Sequence, residues 1–300
     1  MPAPGADSGT ALFATLAARG RFTGTDVLAD ARRTVAGCLR DLGFTVVERP
    51  FRYSTLPARV GMPAVGAASV VLLLAVAWVA GWAGPLAALV VATVALGGLR
   101  ALARWLSGPR AIALPWAAAD GVNLEAARGS APRVWLVAHL DSKSQRYPIA
   151  LRALGAALSL AAWGAMLVVA AAGAAGALPW VVGAGLAGGL LLALGGAGNA
   201  SPGAVDNASG VAAVLATAER LDPVLAVGVL ITDAEDVGLA GAHAWARDRA
   251  PGVAVNCDTV DDRGRFLLLV SGRLPAALHD AVRAASAAAG VPVGVRRLPA

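Results

Sequence analysis

Long apolar runs alternate along the chain with segments of ordinary mixed patterning. Residues 61–99 and 153–205 contain no Asp, Glu, Lys, Arg or His. One membrane crossing takes about 20 apolar residues, so each run is long enough for two. Glycine and proline interrupt the runs at 81–85 and 176–179, which predicts two helical hairpins with four transmembrane helices. Buried Ala/Gly-rich core helices are the alternative, but such helices rarely stay uncharged over this length.

The residues in and around these runs favour a membrane anchor. Trp82 and Trp180 lie at the two breaks, and amphipathic rings favour the lipid–water boundary. Small residues should let the helices approach closely, namely Gly183, Gly185, Gly188 and Gly189. Arginines flank both hairpins while the breaks carry no charge, which predicts that the termini and the charged domain are cytoplasmic. Transport pathways are usually marked by intramembrane ionisable residues, and these runs have none.

The charged segments show an α/β pattern. Apolar runs at 134–138, 225–232 and 253–257 have strand length and predict strands buried on both faces. The periodicity predicts helices over 27–42, from 203–210 through 221, over 239–249 and over 275–289. Strands that alternate with helices predict a mostly parallel sheet. The predicted fold is an α/β domain with a mostly parallel sheet, interrupted by two transmembrane helical hairpins.

The predicted organisation therefore has five parts. Residues 1–60, 107–152 and 200–300 build one α/β domain. Residues 61–106 and 153–199 form the first and second hairpins inserted into it.

Ionisable side chains lie at the ends of the predicted strands and at one helix start: His139, Glu235, Asp236, Asp258 and Asp206. Ligands bind at the carboxyl ends of strands in open α/β sheets. A single acid after a strand is often only a helix cap, but several acids that converge repel one another unless cations neutralise them. Imidazole with carboxylates suits zinc or a similar divalent ion. The sequence therefore predicts a metal site.

Composition excludes two classes of protein. With 57% hydrophobic and 15% charged residues, the chain is unlike a disordered one, which combines low hydrophobicity with high charge. The net charge of +6 comes from scattered arginines, with Lys143 the single lysine, and no basic patch is interleaved with aromatics, so we expect no nucleic-acid partner. Cys38 and Cys257 are too few for a disulfide framework and fit a reducing compartment.

Four motifs occur in a characteristic order. They are HLD at 139–141, GAVDNASG at 203–210, DAEDVGLAG at 233–241 and NCD at 256–258. In this order they resemble the co-catalytic zinc aminopeptidases of metallopeptidase family 28. Residues 20–51 are similar to that family's first helix and strand, and residues 121–129 are similar to its edge strand.

The resemblance implies a role for each ionisable residue. His139 and Asp258 would bind a first zinc ion, Asp236 would bind a second, and Asp206 would bridge the two. Asp141 would orient the imidazole of His139. Glu235 would act as general base toward the attacking water, while two cations polarise the scissile carbonyl.

Two features depart from the family pattern. Asp236 stands where the family commonly has Glu, and the family's C-terminal His ligand of the second metal has no counterpart in the 42 residues after Asp258. His243, on the helix after Asp236, and His279, on a predicted surface helix, are poor substitutes. We therefore expect either a chain shorter than its relatives or an incomplete second metal site.

The predicted function is a membrane-anchored, zinc-dependent, aminopeptidase-like hydrolase of peptide or amide bonds. The alternative is an inactive peptidase-like membrane scaffold with an incomplete metal site. The second hairpin separates His139 from Asp206 in sequence. The site is therefore expected close to the bilayer surface, with lipid and a peptide or amide substrate as its partners.

Overall fold

The computed structural model of the protein describes residues 8–129, 131–247, 252–261, 266–272 and 275–298. Its helices are α1 (Ser8–Leu16), α2 (Asp26–Asp41), α3 (Leu56–Ala83), α4 (Pro85–Leu106), α5 (Pro109–Ile112), α6 (Ile149–Ala172), α7 (Leu178–Ala193), α8 (Ser209–Arg220), α9 (Ala240–Ala246) and α10 (Ala276–Ala289). Its strands are β1 (Thr45–Ser54), β2 (Ala118–Ala127), β3 (Val134–His139), β4 (Ser144–Gln145), β5 (Ala197–Gly198), β6 (Val227–Thr232), β7 (Val253–Asn256), β8 (Phe266–Val270) and β9 (Val293–Arg297).

The central sheet has five strands in the order β1-β2-β6-β3-β7. β3 runs parallel to β6 and β7, whereas β2 runs antiparallel to both β1 and β6. The prediction of a mostly parallel sheet is therefore wrong, and the sheet is mixed. The first helical hairpin connects the end of β1 to the start of β2, where Ser54 pairs with Ala118. Because the hairpin returns the chain to the strand end it left, β2 must run antiparallel to β1.

The segment 121–129 does not form the edge of the sheet. Its strand β2 pairs with β1 on one side and with β6 on the other. The edge on this side is β1, which pairs with β2 along its whole length from Thr45 to Ser54.

One face of the sheet is covered by α1, α2 and α8. Their fully buried side chains form a single apolar core with β6, including Leu28, Val35, Leu39, Val211, Leu215 and Ile231. The helix predicted over 27–42 is confirmed as α2, and the Thr25 hydroxyl caps it by accepting a hydrogen bond from the Leu28 N–H at 3.3 Å.

Helices α3, α4, α6 and α7 pack together, and we call them the helical bundle. By length and composition, α3, α4 and α6 are able to cross a membrane, and so is α7 together with the 3-10 turn Ala175–Ala177 that precedes it. The first hairpin begins with α3 at Leu56 and the second with α6 at Ile149, upstream of the expected boundaries at 61 and 153. Arg59 lies in the first turn of α3 and Arg152 in the first turn of α6, so only the remainder of these two helices is free of charged residues.

Glycines bring α7 close to α3 and α6. A Cβ atom on Gly188 would lie 2.6 Å from the backbone nitrogen of Ser159 in α6, and one on Gly189 would lie 3.1 Å from a backbone oxygen of α3. A Cβ on Gly185 would lie similarly close to a leucine side chain of α3, whereas a Cβ on Gly183 would meet nothing within 4 Å. The close approach is confirmed for three of the four predicted glycines and is wrong for Gly183.

A two-residue ribbon closes the base of the second hairpin. Ser144 and Gln145 of β4 pair antiparallel with Gly198 and Ala197 of β5. The ribbon holds the two ends of the hairpin together beside the carboxyl end of β3, where His139 is located. Further along the chain, β8 and β9 pair in parallel with each other, connected by α10.

Candidate metal centre

The parallel part of the sheet gathers the predicted site residues at one edge. β3 pairs with β6 so that His139 lies opposite Thr232, and β3 also pairs with β7, which ends at Asn256. The loops after these three strands therefore leave the sheet side by side. They carry Asp141, the pair Glu235 and Asp236, and Asp258.

The imidazole of His139 lies at the centre of this cluster. Its side chain is 1% exposed, and its Nε2 lies 3.0 Å from Asp206 Oδ1, 3.7 Å from Asp258 Oδ1 and 3.8 Å from Glu235 Oε2. Nε2 is buried and makes no hydrogen bond of acceptable geometry. It is a polar atom without a partner that faces three carboxylates.

Asp141 fixes the orientation of the His139 ring. The backbone carbonyl of Asp141 lies 3.0 Å from Nδ1, so an Nδ1–H that donates to it leaves the Nε2 lone pair facing the carboxylates. The fully buried Asp141 carboxylate accepts hydrogen bonds from the backbone N–H groups of Glu235 at 3.0 Å and Asp236 at 3.1 Å. Asp141 thus ties the loop after β6 to the imidazole.

The turn that carries Asp206 is held by its neighbour Asn207. The Asn207 Nδ2 donates to the Cys257 carbonyl at 3.0 Å, and its Oδ1 accepts from the Gly210 N–H at 3.0 Å. Asn207 is fully buried, and it connects the turn to the residue that precedes Asp258. Asp206 and Asp258 thereby lie on the same side of His139.

The pKa values of His139 and Glu235 are both raised, for different physical reasons. Burial alone would lower the pKa of His139, but the neighbouring carboxylates of Asp141, Asp206 and Asp258 outweigh it and raise the pKa to about 12. Burial raises the pKa of Glu235 to about 7, and the nearby carboxylates add to the rise. The same negative field favours a divalent cation beside the ring, and such a cation would displace the additional proton of the imidazole.

The residues around Nε2 fit a zinc ion. One ligand atom each from His139, Asp206 and Asp258 lies within 4.8 Å of the other two. Neighbouring ligands of tetrahedral zinc lie about 3.3 Å apart, given metal–ligand bonds of about 2.0–2.1 Å. The distances of 3.0 and 3.7 Å from Nε2 to Asp206 and Asp258 bracket that value. A nitrogen with a free lone pair and two carboxylates is a donor set that zinc prefers.

Asp236 has a different environment from the other acids. Its Oδ1 lies 2.8 Å from Lys143 Nζ, and its backbone carbonyl accepts from the same ammonium at 2.9 Å. Burial raises the pKa of Asp236, although Lys143 opposes the rise. Asp236 belongs to a second group of neighbouring ligand atoms, formed with His139 and Asp141.

The two other histidines lie elsewhere. His243 lines a cavity with Arg49, Arg52 and Arg247, and His279 lies on α10 with its Nδ1 3.7 Å from Asp280. Within the described ranges neither belongs to a group of three neighbouring ligand atoms.

Sequence reasoning missed Arg21. The residue is 1% exposed and donates from Nε to the Leu140 carbonyl at 2.8 Å, from Nη1 to the Pro202 carbonyl at 2.6 Å and from Nη2 to the Gly203 carbonyl at 3.2 Å. Burial lowers its pKa to about 10. Arg21 thereby holds the end of β3 against the turn that carries Asp206. No local pattern marks this arginine among the others of the sequence.

Comparison with known proteins gives a family match and several similar solved structures. Residues 122–296 match Peptidase family M28. An aminopeptidase from Aneurinibacillus sp. strain AM-1 has 12% identity and a TM-score of 0.49, with 97% of this chain and 80% of that chain covered. The glutaminyl cyclase of Macrostomum lignano has 15% identity and a TM-score of 0.47, with 97% and 71% covered. The glutaminyl cyclase of Porphyromonas gingivalis has 15% identity and a TM-score of 0.47, with 98% of this chain and 78% of that chain covered. Among curated proteins no sequence matches significantly.

Proposed function

Because this chain belongs to Peptidase family M28, we propose that it is a membrane-anchored, zinc-dependent hydrolase of peptide or amide bonds, of the aminopeptidase type. The observation that carries the proposal is the buried Nε2 of His139, which has no hydrogen-bond partner and faces Asp206, Asp258 and Glu235. His139, Asp206 and Asp258 would bind the cation. Zinc supplies Lewis-acid polarisation of the scissile carbonyl and of the attacking water when it is bound.

Glu235 is the general base in this proposal. Its carboxylate is 27% exposed and its Oε2 lies 3.8 Å from the Nε2 of His139. It therefore adjoins the cation position and remains accessible to water. Its pKa is raised to about 7, and a base whose pKa lies near the working pH is the most effective one. Glu235 would accept a proton from the attacking water and pass it to the leaving amine.

Asp141 serves as a positioning residue. Its backbone carbonyl holds Nδ1 of His139, and its carboxylate holds the backbone of Glu235 and Asp236. Groups that fix metal ligands in this way typically contribute about 10–100-fold to metal affinity or activity. One residue thus sets the position of both the imidazole ligand and the base.

The proposed membrane anchor bears on the substrate. A cavity of about 380 Å³ lies at the base of the helical bundle beside β4 and β5, and Lys143 lines it together with Pro57, Met62, Leu106 and Gly196. With the bundle in the bilayer and the arginine-flanked ends in the cytoplasm, this cavity would open next to the membrane surface. We therefore favour peptides or amides delivered along the membrane as substrates.

The decisive experiment compares the wild-type protein with Glu235→Gln in lipid nanodiscs supplied with zinc. With aminoacyl and peptidyl amides as substrates, the substitution should lower kcat about 10²–10⁴-fold, the usual contribution of a general base. Zinc content should not change. Glu48→Gln, on the exposed edge strand β1, is the matched control and should keep full activity.

Two other outcomes would change the assignment. Zinc binding by the wild type without turnover of any substrate would favour the inactive scaffold. Full activity in Glu235→Gln would remove Glu235 from the mechanism. In the same assay, a substrate peptide tethered to the bilayer should be cleaved faster than the same peptide free in solution, and equal rates would contradict delivery along the membrane.

A further inference from the structure

Lys143 is the single lysine of the chain, and it lies inside the candidate metal centre. Its ammonium contacts Asp236 twice, with Nζ 2.8 Å from Oδ1 and 2.9 Å from the backbone carbonyl oxygen. The two side chains are 26% and 12% exposed. The contact is therefore a largely buried ion pair, unlike a solvent-exposed surface pair.

The cluster offers two groups of neighbouring ligand atoms. The two groups differ in how many hydrogen bonds and ion pairs they make with other protein groups. In the group of His139, Asp206 and Asp258, Nε2 is buried without a hydrogen-bond partner, while the two carboxylates are 60% and 40% exposed. This group combines an imidazole nitrogen free to bind with an open side from which water and substrate can approach.

The side chains of the second group, His139, Asp141 and Asp236, are in contact with protein partners. In His139, Nδ1 faces the Asp141 carbonyl at 3.0 Å. Both oxygens of the Asp141 carboxylate accept backbone N–H groups. Oδ1 of the third member, Asp236, is paired with Lys143. A cation there would have to displace an ammonium that already neutralises the acid.

Building on the proposed function, we propose that this centre binds one divalent cation, held by His139, Asp206 and Asp258, and that the Lys143 ammonium takes the place of a second cation by neutralising Asp236. Asp206 is then a ligand of one cation and bridges nothing. The Lys143 ammonium places one positive charge at the position where the second cation of a two-metal centre would place two positive charges. Because Lys143 also lines the cavity beside the bundle, its charge faces the route proposed for the substrate.

Metal stoichiometry tests this inference directly. The chain, stripped with a chelator in nanodiscs, is titrated with zinc, and bound metal is measured by elemental analysis. The wild type should bind one zinc per chain. Asp236→Asn should still bind one with an affinity changed less than about threefold, whereas Asp258→Asn should lose at least about tenfold in affinity because it removes a ligand. Asp120→Asn, at a side chain 82% exposed on β2, is the matched control.

Substitutions of Lys143 test its role. Lys143→Ala frees Asp236 and should allow a second zinc ion to bind, whereas Lys143→Arg keeps the charge and should still bind one. A circular dichroism melt of each variant establishes that it is folded. If Lys143→Ala, while folded, still binds one zinc, Lys143 does not exclude the second cation and its assigned role is wrong.

The remaining outcomes separate this inference from the proposed function. Two zinc ions on the wild type, falling to one in Asp236→Asn, would overturn the single-cation centre and leave the hydrolase proposal intact. No zinc on the wild type, even at millimolar concentration, would overturn both proposals.

Discussion

The helical bundle and the α/β domain both bury apolar side chains, but among the described residues the α/β domain alone also buries charged ones. In the bundle the outward faces are apolar, with Leu160, Val168 and Val94 about two-thirds exposed or more, at 71%, 67% and 71%. Its buried side chains are mainly apolar and range from alanines to Leu73, Trp163 and Met166, and Trp163 Nε1 donates a hydrogen bond to Ser69 Oγ at 2.9 Å. In the α/β domain the buried interior includes charged groups, with Arg21, Asp141 and Asp233 at most 3% exposed.

The difference follows from the surroundings that each region requires. An apolar outer face costs little in lipid, and helices there associate through close packing of small residues. A buried charge in an aqueous domain is tolerated only when partners satisfy it. The α/β domain gathers charged side chains at the strand ends around His139, whereas the charged residues of the bundle lie only in the first turns of α3 and α6 and in the last two turns of α4. The apolar bundle fits the proposed membrane anchor, and the candidate metal centre lies in the other region.

The largest effect on stability is expected from Arg21. Arg21→Met removes a buried cation that donates to the carbonyls of Leu140, Pro202 and Gly203. Removing one partner from a buried charged network costs about 3–5 kcal/mol of unfolding free energy. Because these carbonyls position His139 and Asp206, zinc affinity should fall as well.

Chemical denaturation followed by tryptophan fluorescence measures the loss, with zinc titration as the second readout. Arg19→Met is the matched control, since Arg19 lies two residues away with an exposed side chain. If the two variants unfold at the same denaturant concentration, Arg21 does not hold the site together.

A somewhat smaller effect is expected from Asp233 and depends on pH. Asp233 accepts hydrogen bonds from Thr23 Oγ1 at 2.9 Å and the Val122 N–H at 3.1 Å. Burial, with the nearby Asp141 charge, raises its pKa from 3.8 to about 6. Because the folded-state pKa lies above the unfolded one, the contribution of Asp233 to stability is complete below about pH 4 and is lost as the pH rises to about 6.

The comparison of wild type with Asp233→Asn isolates this dependence. Relative to the variant, the unfolding free energy of the wild type should fall by about 3 kcal/mol between pH 4 and 6 and then level off. Denaturant titrations at half-unit pH intervals measure it. A difference that is flat across this range would show that Asp233 ionises normally in the folded protein.

The gathering of His139, Asp206 and Asp258 is predictable from the sequence, since each residue follows a predicted strand or stands at a helix start. The predicted burial of the strand at 253–257 is wrong, because β7 lies at the edge of the sheet and is exposed from Val253 to Asn256. The direction of β2 is not predictable from the sequence. Alternation of strands and helices indicates parallel neighbours, but the first hairpin returns the chain to the end of β1 from which it left, so β2 runs antiparallel to β1. Arg21 and the contact of Lys143 with Asp236 are also unpredictable, because both arise from long-range packing around the sheet. Local patterns therefore predict which groups meet at the strand ends, and the buried partners that hold them depend on the tertiary fold.

The smallest effect is expected in the bundle and tests close packing directly. Gly188→Leu places a side chain where even a Cβ would lie 2.6 Å from the Ser159 nitrogen and 2.8 Å from the Gly155 oxygen, so α6 and α7 must separate. Overpacking of this kind costs about 1–3 kcal/mol, which should lower the melting temperature of the bundle in detergent by several degrees. Gly183→Leu is the matched control on the same helix, because a Cβ there meets nothing within 4 Å. Equal melting temperatures for the two variants would mean that close approach of α6 and α7 does not stabilise the bundle, and the contrast between the two regions would then reduce to the absence of charge in one of them.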